Sequence, residues 1–158
     1  MSNMQGKTIF ITGGSRGIGR AIALKAAQAG ANVVIAAKTE VETAKLTGTI
    51  YSVAEEIDAA GGKALPILLD VRDEQQIHAA MQQAARNFGG IDVLINNAGA
   101  IALTGVEATS LKQYDLIQTI NHRATFICAQ AALPYLKQAQ HPHILSLSPP
   151  VNMSPKWL

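Results

Sequence analysis

The sequence is short of cysteine, of charge imbalance and of long apolar runs, and each shortage excludes something. Cys128 is its single cysteine, so no internal disulfide can form, which fits a reducing compartment. No metal site is expected, because His141 and His143 flank a proline with no matching Cys or His pair nearby. The 13 basic and 11 acidic residues leave a net charge of +2. That is too balanced for nucleic acid or an anionic membrane to be the main partner. The first ten residues lack a basic start followed by a signal-type apolar stretch, and no apolar run reaches transmembrane length. A soluble, cytoplasmic protein is expected. There is no internal repeat and no low-complexity tract.

What is present is 158 residues, 48% hydrophobic and 15% charged. That suits one globular domain with a sizeable core, spanning residues 1–158. Strand and helix signals alternate along it. Strands are expected at 7–12, 32–37, 64–69, 92–96 and 143–148. Helices are expected at 18–29, 50–60 and 73–88, with a long helical stretch over 111–138 and a surface loop over 39–49. Ile18, Ile22 and Ala26 share a face of the first helix, and Asp73 is placed to cap the third. Continuous apolar strands separated by helices imply a parallel sheet covered on both faces. Right-handed crossovers then give a doubly wound, Rossmann-type α/β fold with strand order 3-2-1-4-5.

The richest segment joins the first strand to the first helix. Gly13, Gly17 and Gly19 stand in a G-x-x-x-G-x-G spacing between the apolar run at 9–11 and a helical pattern from Ile18. A lone glycine pattern also fits ordinary turns. A strand, a glycine-rich turn and a helix start in succession is the context a dinucleotide fingerprint requires. The unpaired N–H groups and dipole of the helix favour a phosphate there. Arg16 lies inside the loop, within reach of such a phosphate.

Other candidates follow the later strands. Lys38 ends strand two, where sites for NAD usually carry an acidic residue on the ribose hydroxyl. A lysine there attracts a 2′-phosphate, and Lys38 together with Arg16 favours NADP over NAD, although an exposed lysine after a strand is also ordinary. Asp70 is placed to bond an adenine amino group or to serve the next helix, and Asp73 already suits the second duty. Asn96, Asn97, Ala98 and Gly99 end strand four and read as a turn or as part of a ligand site. Asn121 interrupts an apolar helix, and by itself fits an exposed or structurally paired residue. Ser148 ends strand five at the carboxyl edge, before Pro149 and Pro150. His122 reads as surface or packing, and Cys128 as core.

Taken together, the stretch from Thr12 to Gly19, the Asp70-Val71 pair, the run from Asn96 to Gly99, and Asn121 resemble the short-chain dehydrogenase/reductase family in kind and order. The stretches 35–38, 48–51 and 143–150 are similar to its hydroxysteroid dehydrogenase-like branch and bacterial relatives. The resemblance implies an NAD(P)-dependent oxidoreductase acting on a small carbonyl or alcohol. It implies that the loop from Gly13 to Gly19, with Ser15 and Ile18, holds the pyrophosphate. It assigns Lys38 to the 2′-phosphate, Asp70 with Val71 to the adenine, and Asn96 with Ala98 and Gly99 to the sugar region. Asn121 matches the family's catalytic-helix asparagine, and the complete fold is expected to be a homo-oligomer.

Two departures stand out. Ser148 matches the first of the family's paired serines, and Pro149 stands where the second would be, so Ser148 is only a candidate substrate contact. The family's proton donor is a Tyr followed four residues later by Lys. Tyr51, Tyr114 and Tyr135 are followed at that distance by Glu55, Gln118 and Ala139. The chain is therefore expected to be the amino-terminal part of a longer enzyme and inactive alone, with an exposed strand-five edge. A non-catalytic nucleotide-binding module or degenerate paralogue is the alternative. A methyltransferase, which also places glycines after strand one, fits Lys38 poorly.

Overall fold

A computed structural model describes residues 4–41 and 48–148. Five strands form one sheet: β1 (Thr8–Thr12), β2 (Asn32–Ala37), β3 (Lys63–Leu68), β4 (Val93–Asn96) and β5 (His143–Ser146). Every pairing is parallel and the order is β3-β2-β1-β4-β5, as the alternation of elements predicts. The helices are α1 (Gly17–Gln28), α2 (Ile50–Ala59), α3 (Glu74–Phe88), α4 (Leu111–Gln118) and α5 (Ala124–Leu136).

Alternation along β1 divides the core in two. Phe10 points to one side with Val34, Leu94, Ile77, Met81 and Ile127, among them residues of α3 and α5. Ile9 and Ile11 point to the other, with Val33, Ile35, Ala23, Val53 and Ile57 from β2, α1 and α2. Both faces of the central strands are thus dry, and all five β1 residues are buried. Cys128 is buried in the first of these cores, and burial pushes its thiol up to about 12.

The helix boundaries have local causes. Asp73 caps α3, its carboxylate accepting from the N–H groups of Gln75 and Gln76 at 2.9 and 3.1 Å. Thr49 and Ser52 cap α2 reciprocally. The buried face of α1 is Gly19, Ala23, Ala26 and Ala27. Of the expected stripe, Ala26 is buried and Ile22 packs partly against the core, whereas Ile18 is 65% exposed, so the buried face is rotated away from Ile18. Small residues let α1 lie close to the sheet, and the helix turns on them. Part of the expected 39–49 loop, residues 42–47, lies outside the described residues.

Two elements differ from expectation. The stretch read as one helix over 111–138 is α4 and α5 joined by a π-helical turn, Thr119–Arg123. β5 stops at Ser146, two residues short of the expected end; its four residues are exposed, as expected of this edge, with Ile144 and Leu145 about half accessible. Among the described residues, no helix is long and apolar enough to cross a membrane.

Replacing Phe10 by Ala removes the largest ring between β1 and α3. The expected cost is about 3–5 kcal/mol, read as a lowered urea midpoint at unchanged slope.

Candidate functional site: a crevice at the carboxyl edge of the sheet

The strand order reverses between β1 and β4, because β1 leads away toward β2 and β4 toward β5. A parallel sheet opens a crevice outside its carboxyl ends at such a point. Here a crevice of about 270 Å³ is lined by the β1–α1 loop (Gly13, Ser15, Arg16), the ends of β2 and β3, the residues after β4, and Ile120. Lys38, Asp70, Val71, Ala98 and Gly99 all line it. So does Asn97, read from the sequence with its neighbours as a turn or as part of a ligand site, and so do Ala36, Ala37, Thr39 and Leu69, which the sequence does not single out.

Its rear wall is a clasp between β1 and β4. The buried Thr12 hydroxyl accepts from the N–H groups of Asn97 and Ala98, each at 3.1 Å, and donates to the Ile95 carbonyl at 3.4 Å. The Asn97 amide donates to the carbonyls of Thr12 and Gly13 at 3.0 and 2.9 Å. Glycine is dictated at two places by this closeness. A Cβ on Gly19 would stand 2.4 Å from the Gly13 carbonyl oxygen and 2.5 Å from Asn97 Nδ2. A Cβ on Gly13 would stand 2.9 Å from the Cα of Ala98, at a φ of +68°. The sequence leaves the second member of the asparagine pair open between a turn and a ligand site. Its position directly after the last paired residue of β4 is the signal for its role.

Beside the clasp lies the start of α1. Arg16 occupies the cap position in extended conformation, makes no side-chain cap, and is followed by no acidic residue in the first turn. At Gly17 a Cβ would meet nothing within 4 Å, so the loop is open where an anion would approach. Gly17, Ile18 and Gly19 are the first residues of α1 and do not themselves line the crevice.

Charge is unevenly placed. Lys38 is exposed and, among the described residues, in no ion pair. Asp70 pairs with the Arg72 guanidinium, whose hydrogen bonds hold the carboxyl below the usual carboxylate range, with Lys38 adding a weaker pull in the same direction.

The remaining candidates lie off the lining. Asn96 is 5% exposed and faces β5, its amide donating to the Ser146 hydroxyl at 3.3 Å. Its Oδ1 has no partner among the described residues. Asn121 lies in the π-helical turn, and its side chain is fully engaged with the backbone of Ala100. Ala100 N–H donates to Oδ1, and Nδ2 donates to the Ala100 carbonyl, both at 2.8 Å. A π turn widens the helix, frequently at functional sites, and this one faces the chain leaving the crevice. Ser148 is exposed, two residues beyond β5. Among the described residues no tyrosine lines the crevice, and no group of His, Cys, Asp and Glu could hold a metal ion.

A doubly wound sheet with a glycine-rich loop and an open helix start at its switch point defines a fold of the Rossmann type. The sequence profile of the short chain dehydrogenase family matches residues 7–153, and the chain belongs to that family. Hydroxysteroid dehydrogenase-like protein 2 of Danio rerio is 60% identical over 154 residues, 98% of this chain and 37% of that protein. The Homo sapiens protein of the same name is 58% identical with the same coverage. A solved structure from Xanthomonas campestris superposes with a TM-score of 0.93 at 54% identity, covering 99% of this chain and 57% of that one. A short chain dehydrogenase from Mycobacterium thermoresistibile gives 0.92 at 49% identity, covering 98% and 55%. The chain thus spans little more than a third of these curated relatives and just over half of the solved ones. Members of the family are NAD(P)-binding oxidoreductases.

Thr12→Val keeps the shape of the clasp and removes its acceptor, leaving two N–H groups unpaired. It is expected to cost about 1–3 kcal/mol, while Thr12→Ser stays near the parent in thermal denaturation.

Proposed function

We propose that this chain forms the nucleotide-binding part of an NADP-dependent oxidoreductase that interconverts small carbonyl compounds and alcohols. The observation that carries the reading is Lys38, a cation at the end of β2 that lines the crevice and, among the described residues, enters no ion pair. An acidic residue at this position would hold the ribose hydroxyls and repel a 2′-phosphate. A lysine does the reverse.

The crevice suits the cofactor in three further respects. The open, uncapped start of α1 with Gly13, Ser15, Arg16, Gly17, Ile18 and Gly19 would take the pyrophosphate. Asp70 is an ionised acceptor at the adenine end, beside Val71. Ala98 and Gly99 present backbone close to the sugar, with Asn96 supporting the end of β4 from behind. When bound, a nicotinamide cofactor supplies or accepts a hydride. Asn121 orients the segment after Gly99 through its paired bonds to Ala100, and Ser148 is assigned as a substrate contact. The reading includes a cytoplasmic setting and a homo-oligomer for the complete fold.

A second reading, a non-catalytic nucleotide-binding module, is favoured by one observation: no described tyrosine lines the crevice. Family membership sets the methyltransferase alternative aside.

Two measurements test the proposal. Lys38→Asp removes a charge-assisted contact, which is worth about 1.5–3 kcal/mol. NADP affinity should therefore fall roughly ten- to a hundredfold, with NAD affinity spared or improved. Unchanged NADP binding in calorimetric titration overturns the assignment. The purified 158-residue chain should bind NADPH yet reduce carbonyl compounds barely at all. A missing general acid typically forfeits about 10²–10⁴ in rate, so robust turnover in an absorbance assay contradicts the expected inactivity.

A further inference from the structure

A crevice that takes a phosphate at its β2 end should not also hold a free carboxylate there. Asp70 lines the same crevice as Lys38, and the two charges feel one another. Left alone, Asp70 would consume part of the Lys38 charge and repel a group carrying roughly −1.5 to −2 at neutral pH.

The fold prevents this with Arg72. Its Nε donates to both carboxylate oxygens of Asp70, at 2.9 and 3.0 Å, and its Nη2 donates to Oδ2. Its own backbone N–H donates to Oδ1 at 3.0 Å. The base of the pair is fixed as well. Gln76 accepts from the Asp70 N–H at 3.0 Å and donates to Asp73, the cap of α3, at 3.1 Å. A planar guanidinium on a carboxylate is a fork geometry that a single-point cation does not reproduce. An exposed pair of this kind contributes little to stability. Its consequence lies in the field of the crevice.

We propose that Arg72 is a positioning residue for cofactor specificity: by holding and neutralising the Asp70 carboxylate, it leaves the Lys38 charge to the 2′-phosphate. The inference rests on the cofactor reading above and goes beyond it by naming what keeps the phosphate end cationic.

The test is the ratio of NADP to NAD affinity, measured by calorimetric titration on the whole chain. Arg72→Gln should lower the ratio roughly three- to tenfold, more at low salt than at high. Arg72→Lys keeps the charge but not the fork, and its ratio should fall between those of the parent and Arg72→Gln. In the double variant Arg72→Gln with Asp70→Asn, the ratio should return toward the parent, although both nucleotides bind less well. A merely structural role for Arg72 would weaken NADP and NAD alike and leave the ratio unmoved. That result in a parent that prefers NADP overturns this inference alone. A double variant no better than Arg72→Gln overturns the route through Asp70. A parent chain that binds neither nucleotide, or binds both equally, overturns the cofactor reading and this inference with it.

Discussion

The clasp between Thr12 and Asn97 is the constraint on which the crevice depends. At the switch point the chain leaves β1 and β4 in opposite directions, and nothing covalent keeps the two strand ends together. One hydroxyl receives two backbone N–H groups, and one amide spans two carbonyls. Four main-chain groups at the ends of neighbouring strands are paired without a further strand between them, as buried main-chain groups require. Because the clasp draws the loops so close, Gly19 and Gly13 have no room for a side chain. The glycine spacing is therefore as much a record of packing as of ligand binding.

Electrostatics is arranged on top of this frame. The start of α1 carries no side-chain cap from Arg16 and no acidic residue in its first turn, so the dipole of the helix is left to a ligand. Lys38 extends the positive field along the end of β2, and Asp70, the one carboxylate in the lining among the described residues, is already matched by a guanidinium. Each of these side chains sits at or just beyond the last residue of a strand, where the sheet ends and the next helix or loop begins. The helices behind them are held by two dry cores that meet only through the sheet, so the crevice has a rigid back and a polar rim.

The fold was legible because its strands are short apolar runs separated by glycine and asparagine turns, and parallel order follows from their alternation with helices. Asp73 was legible as a cap because its residue type and place before an amphipathic run allow little else. The π-helical turn was not. Its only trace is Asn121 inside an apolar stretch, and a side chain that bonds the backbone 21 residues away leaves no local periodicity. On α1 Ala26 and, in part, Ile22 face the core as the periodicity implies, and only Ile18 departs, because periodicity weights isoleucine over glycine and alanine, whereas contact with the sheet selects the smallest residues. Of the two adjacent asparagines, strand alternation sends Asn96 toward β5 and leaves Asn97 at the crevice, a division that two identical residues cannot announce. Arg72 went unremarked because a surface arginine is ordinary until the carboxylate it grips is known to line a site.

The π turn also says something about chain length. A π turn accommodates one residue more than the α-helical path between the same two points. Removing a single residue other than Asn121 between Thr119 and Arg123 would let α4 and α5 fuse into one regular helix with little disturbance to the buried stripe of α5. The fused helix would be the better-formed secondary structure. Its asparagine, however, would be turned by about a quarter of a revolution, away from Ala100. Here the regular helix and the ordered crevice are alternatives, separated by the presence of one residue.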